Sequence, residues 1–150
     1  MSKKTKRNIE LFIVDIYVAI RKIETYVSSF KETEEFRHNS IHWDATIRQL
    51  EVIGEALNCL LDDPYFEALS PRYFRKIVNF RNVIAHGYFG IDAEEVWEVV
   101  QHKLDPLFKD LVTIVETSHI DLSYAFKTTI DEYTMLKDKD IVDYISKLSY

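Results

Sequence analysis

The chain is poor in helix breakers: its 150 residues include three Gly and three Pro. Such scarcity argues against many short strands joined by tight turns and for long helices. Cysteine is nearly absent. Cys59 alone excludes an intramolecular disulfide framework, and this points to a reducing compartment. No apolar run approaches the roughly 18 residues of a membrane span. The basic stretch Met1–Arg7 is followed by Glu10 and Asp15, where a signal peptide needs an unbroken apolar core, so the expected location is the cytoplasm with no membrane partner. Positive charge is also in deficit. Lys and Arg number 19 against 25 Asp and Glu, a net charge of −6. That balance excludes coating of nucleic acid by bulk charge, so any such contact must run through a local basic patch. A Gly-rich phosphate loop is missing as well.

What is present is hydrophobic spacing, with 47% of residues apolar. Ile9, Ile13, Ile16, Ile20, Ile23, Val27 and Phe30 alternate by fours and threes, which predicts a first helix from about Lys6 to Phe30. Lys31 to Asn39 is charged, lacks the seam and reads as a loop. A second helix starts at a capping Asn39 or Ser40 and carries Trp43, Ile47, Leu50, Gly54, Leu57 and Leu61. Gly54 costs about 1 kcal/mol of helix propensity relative to Ala. Its place mid-seam predicts close approach of another helix. Asp62-Asp63-Pro64 ends that helix and opens a short turn to Leu69.

Ser70-Pro71 reads as the start of a third helix that runs to His86, with Gly87 as its stop. Asp92 and Glu95 form a capping-box pattern for a fourth. Its seam is Trp97, Val100, Leu104, Leu107, Leu111 and Ile114, kinked at Pro106. Leu122 to Leu136 and Asp140 to Leu148 can each form a helix. The expected fold is all-α: an antiparallel four-helix up-and-down bundle over residues 1–117, with 118–150 as a C-terminal helical extension of the same domain.

One residue breaks the pattern of the third helix. At about 100° per residue, Phe74, Ile77, Val78, Ile84 and Ala85 all fall within about 60° of Arg81. A charge on a buried stripe is costly unless paired. The plain reading is an ion pair with Glu51 or Glu55 on the second helix. The neighbours suggest chemistry instead. His86 lies at the C-terminal end of the same helix, where the macrodipole favours a protonated imidazole, and Tyr88 follows just past the glycine. A guanidinium can hold phosphate bidentately, an imidazole can move a proton near neutral pH, and a phenol can bond phosphate or stack on a base. Asn82 adds an amide. The set suits phosphodiester chemistry without a metal.

Arg72, Arg75, Lys76 and Asn79 fall on the polar face of the same helix. With Arg81 they form a basic stripe in an acidic chain, which is either a path for RNA or a solvated face. The arm Lys3-Lys4-Lys6-Arg7 can add phosphate contacts or be a mobile terminus. His38 and His42 have metal-ligand spacing but no Cys or HExxH-type companion, and no metal is expected there. Cys59 reads as core. Tyr65, Tyr73, Phe89 and Trp97 are candidates for a partner surface.

Arg81, four residues, His86, one residue and Tyr88, with Asn82 after the arginine, resemble the hallmark of the HEPN superfamily, and within it the HepT-like toxins. Asp44 to Leu61, with Ile53-Gly54-Glu55-Ala56, is similar to the family's second helix, and Ile91-Asp92 through Trp97 to the start of its fourth. The resemblance covers about Ile9 to Thr117. It implies a cofactor-free, metal-independent endoribonuclease whose two protomers bring both motifs to one cleft. Arg81 and His86 are then catalytic, and Asn82, Tyr88, Arg75 and Lys76 support or bind the RNA. It further implies an MNT-type nucleotidyltransferase antitoxin, which in some members adds AMP to the motif tyrosine, here Tyr88. The alternative is a non-catalytic HEPN module that binds a nucleotide or its partner.

Overall fold

The structure, a computed structural model, describes residues 9–86 and 90–149, with the backbone alone at His86. Within them the protein is an all-α bundle, and no strand occurs among the described residues. Three long helices set its frame: α1 (Ile9–Val27), α3 (Ser40–Leu61) and α5 (Tyr73–His86). Short α2 (Thr33–Arg37) and α4 (Pro64–Leu69) sit in the connections. α6 (Ala93–His102), α7 (Leu104–Thr117), α8 (Ser123–Met135) and α9 (Lys139–Leu148) complete the described chain. α3 packs along α1 and also against α5.

α1 is buried beyond the seam its spacing predicts. Ile13, Ile16, Ile20 and Ile23 are at most 1% exposed, but Val14, Tyr17, Val18 and Ala19 are buried too. A helix that is apolar around most of its surface belongs at the centre of a bundle. α3 and α7 pack against α1, and so does the hairpin of α8 and α9. That hairpin contributes Leu122, Ala125, Ile141 and Ile145 to the common core. Two residues with positive φ, His119 and Lys137, close the turns before and after α8. Polar bonds add register: Arg21 Nη2 and Nε donate to Asp140 at 2.8 and 3.1 Å, and Lys22 donates to the Tyr133 hydroxyl at 2.8 Å.

Several expectations are corrected. The stretch read as a loop from Lys31 to Asn39 contains α2, because fully buried Phe36 stacks on Phe30, Trp43 and Trp97 and anchors one helical turn. The first helix ends at Val27 rather than Phe30. Ser70 does not open α5. Its hydroxyl donates back to the Phe66 carbonyl at 2.7 Å, committing it to the end of α4, and α5 begins at Tyr73. The turn expected after Pro64 is helical, capped by the Asp63 carboxylate on the Tyr65 and Phe66 amides. Pro106 does not merely kink one long helix. The chain breaks at Lys103, so that α6 ends at His102, whose carbonyl the proline ring would otherwise meet. Asn39 and Asp92 cap their helices, accepting from the His42 and Glu94 amides, but Asp92 does so without the reciprocal Glu95 bond of a capping box among the described residues.

Candidate functional site

α5 has the stripe its sequence encodes. Phe74, Ile77, Val78 and Ile84 are at most 6% exposed and face the core. Arg81 shares that side, and its side chain is 29% exposed. What makes room for it is Gly54. A Cβ built on Gly54 would overlap Arg81 Cβ and Cγ, well inside van der Waals contact. The close approach expected from a mid-seam glycine is therefore made, and the group that approaches is the stem of the arginine.

The head group is held loosely. Nη1 donates to Asn82 Oδ1 at 3.1 Å. Nη2 lies 3.9 Å from Glu55 Oε1, whose side chain is 65% exposed. Nε is enclosed and has no hydrogen-bond partner among the described residues. Glu51, the other acid considered, sits 3.7 Å from Arg48 instead. An exposed pair at the outer limit of ion-pair distance contributes little to stability, on the order of 0–1 kcal/mol. A buried donor left unmade costs about 1–3 kcal/mol. Arg81 is thus not explained by the interactions it makes among the described residues.

α5 ends at His86, so the backbone sets Arg81 and His86 at one end of one helix. The His86 side chain and residues Gly87, Tyr88 and Phe89 lie outside the described residues, as does the Lys3 to Arg7 arm. The structure brings together Arg81, Asn82, Gly54 and Glu55. The basic stripe divides. Arg75 and Lys76 are both exposed, about 100° apart on the helix. Lys76 lines a groove with Glu95 and Glu98 of α6, over a floor of Ile77, Phe80 and Val99. Arg75 falls on the side of Asn79 and Asn82 by helical position. From Arg72 to His86 the chain has four Lys or Arg and no Asp or Glu, a local reversal of its overall charge.

The remaining candidates are engaged elsewhere. His38 Nε2 is 3.1 Å from Glu34, and His42 Nδ1 is 2.7 Å from Asn39 Oδ1. Cys59 is half-buried, and burial, with Asp62 and Glu55 nearby, pushes its thiol up and away from the thiolate form. Tyr73 donates a short bond to Asp110, and burial with that bond pushes its phenol far above the ordinary range. Trp97 stacks on Phe36. Tyr65, 64% exposed, remains at the surface. Glu55 was considered from sequence only as an ion-pair partner, and Gly54 only as a packing residue. The one local signal of their involvement is the Gly-Glu pair in the middle of the second seam.

The whole of this arrangement lies inside a match to known proteins. The family model described as "Ribonuclease HepT-like" matches residues 16–114, which include α3 and α5. A Thermococcus cleftensis protein named "Probable ribonuclease HepT" is 32% identical over 103 residues, covering 68% of this chain and 91% of its own length. Two Methanocaldococcus jannaschii proteins are similar as well. "Putative RNase MJ1216" is 30% identical over 115 residues, 74% of this chain and 90% of its own. "Putative RNase MJ1380" is 29% identical over 107 residues, 71% and 96%. No solved structure matches significantly. With Arg81, Asn82 and the helix-ending His86 on a bundle that this family model spans, the chain belongs to the HepT-like ribonuclease family.

Proposed function

We propose that the protein is a metal-independent endoribonuclease whose complete site forms in a homodimer. The observation that carries the reading is Arg81: a guanidinium admitted to an apolar helix face by a glycine, incompletely partnered, and one turn and a half from the helix-terminal His86. The family membership and the names of its relatives support it.

In this reaction the 2′-hydroxyl attacks the adjacent phosphorus. A bond forms between O2′ and phosphorus while the bond from phosphorus to O5′ breaks. One His86 takes the proton from O2′, and a second delivers a proton to the departing O5′. The products are a 2′,3′-cyclic phosphate and a 5′-hydroxyl. One chain offers one such histidine, so a twofold axis that faces two copies supplies the pair. Arg81 stabilises the charge that develops on the phosphoryl oxygens. Asn82 orients it, Tyr88 positions the RNA, and Arg75 and Lys76 meet flanking phosphates from two sides of α5.

The reading extends to biology. The protein acts in the cytoplasm as the toxin of a pair and is neutralised by an MNT-type nucleotidyltransferase that transfers AMP to the Tyr88 hydroxyl. Residues 118–150 are an extension of the same domain, which their side chains in the common core support. The test is cleavage of total RNA under reducing, chelated conditions, wild type against His86→Ala. Fragments with 5′-hydroxyl ends are expected from the wild type alone. Equal survival of RNA with both proteins overturns the nuclease reading. It would favour instead a non-catalytic module binding a nucleotide or partner, a reading to which the net charge of −6 lends weight.

A further inference from the structure

We infer that Gly54 and Glu55, adjacent on α3, are positioning residues for Arg81. The glycine sets where the arginine stem lies, and the glutamate holds the guanidinium until a phosphate replaces it. The inference rests on the ribonuclease reading and adds a second helix to its site.

Three observations carry it. First, the residue that comes closest to the space at Gly54 is Arg81. The three nearest atoms a Cβ there would meet are Cβ, Cγ and Cδ, all of Arg81. Gly90 offers the contrast, with nothing within 4 Å of an added Cβ. Gly54 is buried mid-helix, where glycine disfavours the helix, so its presence answers a demand of the contact rather than of the backbone. Any larger residue must push α5 from α3 or swing the Arg81 stem, and either moves the guanidinium.

Second, the stem contact and the enclosed Nε fix the inner part of the side chain, leaving the two terminal nitrogens to meet a ligand. Nη1 is already steadied by Asn82. Third, among the described residues the ion-pair partner of Nη2 is Glu55, at 3.9 Å and 65% exposed. A carboxylate there biases the guanidinium by charge without committing it to a close bond. A phosphate oxygen presents the same charge with better geometry and displaces it. Glu55 therefore competes with substrate at the same nitrogen it orients. Gly54 acts on the geometry of the transition state, whereas Glu55 acts on the entry of phosphate.

The experiment has two activity arms and one independent of activity. Gly54→Ala is expected to lower kcat by about a hundredfold, the scale of an ångström-sized misplacement. In an Arg81→Ala background the same change should have no further effect on cleavage. Additive loss in the double variant means that Gly54 acts through the general fold and overturns its assignment. Glu55→Gln, a change at an exposed position, is expected to lower KM for RNA by about twofold to fivefold, the reach of one exposed charge pair. An unchanged or higher KM overturns the glutamate's role, and this arm stands even if Gly54→Ala fails to fold. The third arm is the proton exchange of Arg81 Nε–H by nuclear magnetic resonance. Slow exchange in the wild type that becomes fast in Gly54→Ala supports the positioning role, and equal rates overturn it. If the wild type leaves RNA uncut while that exchange pattern holds, the arginine is still positioned by α3 and only the ribonuclease reading falls.

Discussion

Arg21 on α1 and Arg81 on α5 have side chains of similar exposure, 36% and 29%, yet they are held in opposite ways. Arg21 is answered within the chain. Its Nε and Nη2 donate to the two oxygens of Asp140, and its guanidinium lies 5.2 Å over the Tyr144 ring. This pairing raises the arginine's pKa and lowers that of Asp140. Among the described residues Arg81 has one neutral acceptor, one distant acid and an enclosed Nε without a partner. At similar exposure, then, the two arginines differ in how completely they are partnered among the described residues. The first ties α9 to α1, and the second is left able to bind something else.

The largest expected effect tests that contrast directly. Arg81→Ala should lower kcat for RNA cleavage by about a hundred- to a thousandfold, the usual consequence of removing one charge-stabilising donor, while the thermal midpoint changes little. Arg21→Ala should leave cleavage intact. If the two variants cut RNA equally well, the contrast is empty.

Next in size is Ile145→Ala in α9. Ile145 is fully buried, and truncating such a residue costs about 2–5 kcal/mol. Because the hairpin shares the core of α1, a single transition should move to lower denaturant. A separate early transition for the C-terminal helices would show that Arg21 ties together two units rather than stabilising one.

Arg21→Ala itself should destabilise the protein by at most about 1 kcal/mol, since the pair is open to water. The depressed Asp140 sets its pH dependence. A carboxylate stabilised in the folded state contributes above its ordinary pKa and loses that contribution as pH falls through the folded value. Wild type and variant should therefore converge in strongly acidic buffer.

The smallest effect has the opposite sign. Asp15 is exposed at the edge of a concavity of α1, α3 and α8 with Glu132, yet enough protein surrounds its carboxyl to push its pKa up to about 6. Burial is the larger cause and the Glu132 charge the lesser. The folded state binds that proton more tightly than the unfolded one, so stability falls as pH rises from the ordinary carboxyl value of 3.8 through about 6. Asp15→Asn should thus melt at a higher temperature than wild type at pH 7 and match it below pH 4. The pair of melting curves is the measurement, and a variant that melts lower at pH 7 contradicts it.

Much of the bundle was legible because the rules involved are local. Four-three spacing marked α1, α3 and α7, and short polar side chains at Asn39 and Asp92 marked two starts. What escaped depended on how the chain packs rather than on local pattern alone. α2 exists because Phe36 finds Trp43 and Trp97, which no spacing within a charged stretch can reveal. Ser70 could cap forward or bond backward, and only the packed turn decides. Pro106 stood out, but whether it bends or breaks a helix depends on the room left at Lys103. At the site, the motif on α5 was legible in one segment. The contribution of α3 was not, because Gly54 meets Arg81 only once the register of two helices is fixed.

The glycine at that crossing has a consequence for comparing relatives. On the toxin reading proposed above, mutations that silence the enzyme are favoured whenever the antitoxin is lost. If Gly54 positions Arg81 as inferred, a single codon change there would weaken cleavage without touching Arg81, His86 or Tyr88. Survivors of such selection would keep a complete motif and bear a larger residue on the facing helix. A census of family members by motif alone would then count disarmed copies as active, and the residue opposite the arginine is the one to inspect first.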